Sequence, residues 1–514
     1  MVRIRRYRQE DCPQLAQLFY DTVHCVNARD YAREQLDAWA AGDVDLTAWD
    51  ARYQNSFTLI AEKQGAIVGF ANMDRQGVLD MLYVHKNTQR EGIASLLCDA
   101  LESAVPTEAY STYASITARP FFEKRGYVVE KQQQVSLRGQ VLTNFYMVKK
   151  TQRPMMLYIH IPFCMKKCAY CDFVSYAGCA EKIPSYIDAV IAEMARRPSR
   201  QRVTSVFLGG GTPSILPSGE LTKLLKAVAR HYDLSPRCEI TSEANPGTVT
   251  QEWLDAAVRG GVNRLSVGVQ TVQPKLLNVI GRIHDFAQVE DTFKMARRMG
   301  ISNLSADLMY ALPGQTLEMW RQSLETVVQL EPQHLSCYAL TVAEGTPFGD
   351  MDAQGKLPRP DEDEEMAMQA ATADVLAGHG LYQYEVSNYA RPGYACRHNV
   401  GYWTRRDYIG LGCAAHSLEG SLRRSNDCDL GKYISGADFD AQEILNYEDA
   451  AFEELMLGLR MVEGVTLTPY AAALFGDKLR MQQKQGLLTY SDRHVRLTPR
   501  GFDVMNTVLA QLMP

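Results

Sequence analysis

No stretch of the 514 residues reaches the roughly 20 apolar positions that a membrane-spanning helix needs. The opening MVRIRRYRQED carries charges where a secretory leader would carry its apolar segment. A cytoplasmic location is the expectation. A bias of charge is equally lacking: 54 Lys and Arg against 60 Asp and Glu leave a net charge of −6, too balanced for a nucleic-acid coat or a polybasic membrane anchor. No nucleic-acid partner is therefore expected, and any membrane contact would come only through partners. Low-complexity segments are missing, and so are internal repeats beyond a strand–helix rhythm. Cysteine is sparse too, twelve over the whole length, which does not suit a disulfide scaffold and leaves Cys164, Cys168 and Cys171 as the one tight group. What remains, 46% apolar and 22% charged residues, is ordinary globular composition for about three domains at roughly 150 residues each.

The first 150 residues have their own pattern. Asp11 is a candidate N-cap for a helix with Leu15, Leu18 and Phe19 on one face. TLIAE (58–62) and AIVGFANM (66–73), joined by Lys63-Gln64-Gly65, read as a hairpin, and Val78 to Val84 as a third strand. Gln89-Arg90-Glu91-Gly92-Ile93-Ala94 then leads straight into a helix through Leu96, Leu97 and Leu101. A strand, a glycine turn and a helix start together present free backbone N–H groups to an anion.

After a short junction at 151–153 and Pro154, strands and helices alternate. Strands are expected at 157–161, 203–208, 238–243, 263–269, 303–308 and 334–340, with amphipathic helices at 183–195, 218–231, 285–299 and 316–329. Six such units predict an α/β fold with an incomplete parallel (β/α)6 barrel. The acidic run 361–365 suits a solvated helix start, where carboxylates complement the dipole. From about 450 the chain reads as helical with a hairpin-like piece at Thr489–Leu497. The expected domains are 1–150, 154–385 and a mostly helical 386–514.

Cys164, Cys168 and Cys171 form a C-x3-C-x2-C loop directly after the 157–161 strand. Zinc would require a fourth ligand, for which Cys179 or His160 is available, whereas a [4Fe–4S] cluster held by three thiolates leaves one iron open to a small molecule. Polar residues recur at the ends of successive strands: Gly209-Gly210-Gly211-Thr212-Pro213, then Glu243, Gln270 and Asp307. Each has a bland reading as a turn residue or helix cap. Together, beside three cysteines, they point to one mouth. The triple glycine is expected to admit a ligand close to backbone amides.

The cysteine loop combined with GGGTP resembles the radical S-adenosylmethionine (SAM) superfamily, in its coproporphyrinogen-oxidase-like branch, from about Pro154 to the C-terminus. The resemblance implies that Cys164, Cys168 and Cys171 hold a [4Fe–4S] cluster. It also implies that Tyr158, Tyr170, Gly210, Gly211, Thr212, Glu243, Gln270, Arg282 and Asp307 contact SAM, which a reduced cluster cleaves to a 5′-deoxyadenosyl radical. Phe173 stands where coproporphyrinogen oxidases have a further cysteine, and their N-terminal substrate-binding extension is replaced by an unrelated domain. Both features, with His398-Asn399-Val400-Gly401-Tyr402-Trp403, resemble the haem-chaperone family HemW, in which this HNxxYW element is associated with haem. His398, Asn399, Tyr402 and Trp403 are then haem contacts by resemblance, and His416 is a second candidate ligand.

That family implies haem delivery to apo-haemoproteins and an electron donor such as flavodoxin or ferredoxin. The alternative is an oxygen-independent coproporphyrinogen III oxidase, which decarboxylates propionates oxidatively in porphyrin biosynthesis. Gln89, Arg90, Gly92 and Ala94, with Arg119-Pro-Phe-Phe-Glu-Lys-Arg-Gly126-Tyr127 downstream, resemble the GNAT acyltransferases, which implies acetyl-CoA at that turn. Phe122 replaces the tyrosine many members use as general acid, leaving Tyr127, Tyr113 or none, and a non-catalytic binding module as the alternative.

Overall fold

The computed structural model describes residues 2–74, 76–105, 107, 109–150, 154–199, 201–436 and 439–513; the expected junction at 151–153 lies outside them. The chain forms two compact units. One comprises Met1–Arg153, Leu445–Leu459 and Gly464–Pro514, the other Pro154–Ile444 and Arg460–Glu463. The expected boundary between 385 and 386 is thus corrected. The chain beyond 385 continues the barrel sheet as far as Ile444: Asn388–Ala390 inserts between Tyr382–Glu385 and His334–Ala339, and Tyr408–Leu411 with the strands after it extends the other end.

In the first unit seven strands lie in the order Val2–Arg6, Phe57–Lys63, Ala66–Met73, Val78–Val84, Ala109–Ser115, Gln140–Lys150, Val128–Leu137. Neighbours are antiparallel except Val78–Val84 and Ala109–Ser115, which pair in parallel only at Val78↔Ser111 and Leu79↔Thr112 and then part. Helix Cys12–Val26 forms as expected, but Asp11 does not cap it. Its carboxylate is drawn instead to the Arg5 guanidinium at 2.7 Å, and it also accepts the Arg8 amide at 2.8 Å. A charge-assisted pair outweighs a single cap bond.

Helix Ile93–Ala104 buries Ile93, Leu97, Ala100 and Leu101, a helical i, i+4, i+7, i+8 stripe, in one core with Leu59, Ala61 and Ala71 of the sheet. Leu455, Leu459, Tyr470, Phe475, Leu479 and Val508 of the C-terminal helices belong to that same core. Phe57 packs on Tyr447 with ring centroids 3.7 Å apart, and the Arg6 guanidinium lies 4.2 Å over Phe57. Segments more than 350 residues apart in sequence therefore share one interior. Leu455→Ala should cost about 2–5 kcal/mol and lower the calorimetric transition of this unit, since Leu455 is fully buried there; an unchanged transition would show that the C-terminal helices are not part of its core.

In the second unit seven consecutive parallel strands run His334–Ala339, Asn303–Tyr310, Arg264–Gln270, Leu234–Ala244, Val203–Gly210, Met155–Ile161, Tyr408–Leu411 within a twelve-stranded sheet. All six expected strands are present, and Tyr408–Leu411 adds a seventh beside the first. Helices Ile183–Arg196, Ser218–His231, Phe286–Arg298 and Leu317–Val328 form the outer layer. Side chains alternate across each strand. Leu157, Ile159, Val206, Leu208, Leu265, Val267, Leu304 and Ala306 enter the outer apolar core, while Tyr158, Phe207, Arg264, Ser266 and Asp307 face a cavity. The acidic run begins helix Glu362–Gly378, where Asp361 accepts the Glu364 amide at 2.8 Å. Among the described residues no helix is long and apolar enough to cross a membrane.

Candidate functional site

The cysteine loop leaves strand Met155–Ile161 through the short Phe163–Cys164 strand, which pairs in parallel with Tyr176–Ala177 and so closes the loop at its base. Its middle is held by backbone bonds: the Ala169 amide donates to Ile280 at 3.1 Å, and its carbonyl accepts from Phe348 at 3.0 Å. Gly281, at φ +78, lies against Cys168 and Ala169, where a Cβ would come within 3.8 Å of the Cys168 Cα. Arg282 donates to the Tyr170 hydroxyl at 3.1 Å, and Thr212 to the Cys164 sulfur at 3.4 Å. All three cysteines are half-buried free thiols.

This donor set fits a three-thiolate cluster. Both nitrogens of His160 are engaged, by the Tyr158 hydroxyl at 2.9 Å and the Val174 carbonyl at 2.8 Å, and the Cys179 sulfur lies 3.6 Å from the Ala177 carbonyl. Among the described residues no three His, Cys, Asp or Glu side chains converge as ligands of a single metal ion. Thiolates of a cubane each bind a different iron and need not converge on one point.

Of the polar strand ends, Gly210, Glu243 and Asp307 line one cavity, and Gly211, Thr212 and Gln270 are not among its lining. Gly210 donates its amide to Glu243 at 3.1 Å, but a Cβ at Gly210 would strike the His160 ring at 2.3 Å, and one at Gly211 would meet the Phe163 carbonyl at 2.6 Å. The glycines are required by the packing of the chain on itself. Gly211 and Thr212 donate to the carbonyls of Ile161 and Phe163, tying this turn to the cysteine strand. Gln270, at φ +66, lies with Arg282 beside Gly268. Glu243 and Asp307 cap no helix; Asp307 accepts both Ser266 contacts at 3.0 Å. Burial, and then the nearby Asp307, pushes Glu243 up to about 7.

Tyr158, Gly210, Glu243 and Asp307 line a cavity of about 220 Å3 together with His398, Asn399 and Tyr402, so two groups of residues that are separate in sequence meet in one lumen. Helix Arg397–Trp403 plugs that lumen against the N-terminal halves of the strands. Gly401 lies so close to Met156 that a Cβ would overlap its sulfur, and Glu239 accepts the Arg397 amide at 2.9 Å. His398 has both ring nitrogens engaged, with Ser205 at 3.0 Å and the Tyr402 hydroxyl at 3.1 Å, and burial pushes it down to about 3, a neutral imidazole. Trp403 does not line the cavity; the Arg460 guanidinium lies 5.3 Å over its ring. His416 is exposed at a strand start. Sequence reasoning missed Arg264, Ser266, Phe207 and Tyr338 in the lining. A charged residue opening an otherwise buried strand, Arg264, was the available signal.

In the first unit Gln89, Arg90 and Gly92 form the exposed turn before helix Ile93–Ala104, with Arg90 at φ +63 and Gly92 at φ +82. Left-handed residues thus flank Glu91 at the positive end of the helix. Gln89 donates to the Val84 carbonyl at 2.5 Å and ends the strand. Tyr127 is buried on Glu102 at 3.1 Å, which removes it as a general acid at the surface, while Tyr113 is 56% exposed on the parting strand.

Comparison with known proteins agrees with this division. Residues 158–327 match the radical SAM superfamily, 27–148 the acetyltransferase (GNAT) domain, and 445–504 the HemN C-terminal domain. The chain is 35% identical over 373 residues to the heme chaperone HemW of Lactococcus lactis, covering 70% of this chain and 98% of the relative. It is also 35% identical over 372 residues to that of Escherichia coli, covering 69% and 97%. The chain belongs to the HemW family.

The solved coproporphyrinogen III oxidase HemN of Escherichia coli shares the fold at 23% identity and a TM-score of 0.62, covering 70% of this chain and 90% of that one. This HemW-family chain therefore joins a GNAT domain to a radical SAM barrel and a helical C-terminal region. In it, Glu243 binds a proton more tightly folded than unfolded, so the stability of the cofactor-free protein should fall as pH rises from about 4.5 to about 7. Glu243→Gln should flatten that dependence in denaturant titrations; an unchanged slope would show that Glu243 is not buried as described.

Proposed function

We propose that this chain carries a [4Fe–4S] cluster on Cys164, Cys168 and Cys171 and SAM beside Tyr158, Tyr170, Gly210, Gly211, Thr212, Glu243, Gln270, Arg282 and Asp307, and that it binds haem and passes it to apo-haemoproteins. The observation that carries this reading is the HNxxYW helix, whose His398, Asn399 and Tyr402 line the same lumen as Tyr158, Glu243 and Asp307. Phe173, exposed where the related oxidases have a further cysteine, favours haem handling over decarboxylation. The cluster, when bound and reduced, supplies one-electron chemistry to SAM from a donor such as flavodoxin or ferredoxin. This chain's own residues bind and exclude water. The pinned loop around Ala169 fixes the spacing of the thiols, Glu243 and Asp307 offer negative charge to the sulfonium and ammonium of SAM, and the plug helix seals the lumen from below.

Anaerobic reconstitution should give about four irons per chain, and Cys168→Ala should abolish the cluster; stoichiometric zinc without iron would contradict the assignment. Haemin added to the reconstituted protein should bind and then move to an apo-haemoprotein at a rate exceeding that of free haemin, as followed by absorbance.

The GNAT domain supports a second, separate reading, acetyl-CoA binding with transfer to an amine. Its carrier is the left-handed turn of Arg90 and Gly92 before helix Ile93–Ala104, beside strands that part after Leu79. Calorimetry on the full chain should show acetyl-CoA binding that Gly92→Val weakens at least tenfold, because a β-branched residue at φ +82 is strained. Equal binding by both proteins would remove this turn as the site.

A further inference from the structure

Arg264 is 1% exposed and lines the lumen cavity, yet its Nε has no hydrogen-bond partner, and among the described residues no carboxylate lies within ion-pair distance of its guanidinium. The two carboxylates whose charge acts on it, Glu239 and Asp307, do so without an ion pair and are committed elsewhere. Glu239 receives the amides of Arg397 and His398, at 2.9 and 3.4 Å, while Asp307 receives the hydroxyls of Ser266 and Ser305. An arginine cannot shed its charge by deprotonation, and a buried, unpaired cation is costly. A cation that opens into a cavity instead of onto a carboxylate is arranged for an anion that arrives with a ligand.

The rest of the lining says which anion. Around Arg264 the cavity offers the Asn399 side chain and the Tyr402 hydroxyl as partners for carboxylate oxygens, while the Ser266 hydroxyl is already given to Asp307. Its outer lining includes Phe173 and Tyr338, 61% and 41% exposed, aromatic faces on which a flat apolar ring can lie. Glu243 and Asp307 also face the space, and their charge suits a cationic ligand such as SAM. Burial and the nearby Asp307 push Glu243 up to about 7, which lessens its repulsion of an incoming carboxylate.

We infer that Arg264 is the anchor for a carboxylate of the bound tetrapyrrole, so that a propionate arm enters the barrel lumen while the macrocycle rests on Phe173 and Tyr338. This rests on the haem-handling reading above and deepens it. The HNxxYW helix then meets the propionate and not the iron, in keeping with a His398 whose nitrogens are both engaged within the protein.

The test compares haemin with haemin dimethyl ester on the reconstituted full chain. Esterification removes both carboxylate charges and keeps ring and iron. The ester should bind about ten- to a hundredfold more weakly than haemin, the loss expected of one or two charge-assisted hydrogen bonds. Arg264→Gln should bring haemin down to the level of the ester without weakening the ester further, Arg264→Lys should recover part of the loss, and SAM affinity should hold within about twofold. Equal binding of haemin and ester overturns the inference while haem handling stands, and that comparison needs no variant to fold. A variant that loses SAM and keeps haemin also overturns it, because the anion is then the carboxylate of SAM. Binding of neither porphyrin overturns the haem reading together with the inference.

Discussion

The chemistry of the barrel depends on the two-residue period of a parallel strand. Because successive side chains face opposite ways, each strand can give its apolar half to the helical layer and its polar half to the lumen without either compromising the other. Leu265 and Val267 lie in the outer core while Arg264 and Ser266 between them face inward, and Ala306 and Asp307 divide in the same way on the next strand. A lumen so polar would collapse or flood unless its lower end were closed. The Arg397–Trp403 helix closes it, packed on Met156 through Gly401 and held by Glu239. The acids, the arginine and the neutral imidazole thus sit in a low-dielectric space, where charges matter more than they do in water.

The first unit shows a different economy. A GNAT sheet and a HemN-type C-terminal segment bury one another's apolar faces, and the aromatic contact of Phe57 with Tyr447, covered by Arg6, marks where they meet. A domain that shares its core in this way cannot be excised without exposing apolar surface, so its ligand binding belongs to the whole chain. Helix Ile93–Ala104 begins at the left-handed turn of Arg90 and Gly92 and lies along that shared core.

Much of this was legible in the sequence wherever periodicity and spacing act locally. The strand at 66–73 and the helix at 218–231 fall at the residues their patterns indicate, and the spacing of the three cysteines marks them as one ligand group while leaving zinc and a cluster both open. Two kinds of fact were not legible. Asp11 looked like a cap because nothing local reveals that Arg5 would reach it across the strand end. The meeting of the HNxxYW helix with Glu243 and Asp307 depends on how a segment some 90 residues beyond the last of them returns beneath the barrel, and so does the role of Arg264, which reads as one charge in an apolar strand until the lumen is closed around it.

Whether a barrel with this lumen handles haem or oxidises a porphyrinogen turns on a single outcome. The reconstituted chain, incubated anaerobically with SAM, a reductant and coproporphyrinogen III, should release no more carbon dioxide than the cluster-free Cys168→Ala protein. Two equivalents of carbon dioxide per porphyrinogen, with protoporphyrinogen as product, would contradict the account and make this chain an oxidase.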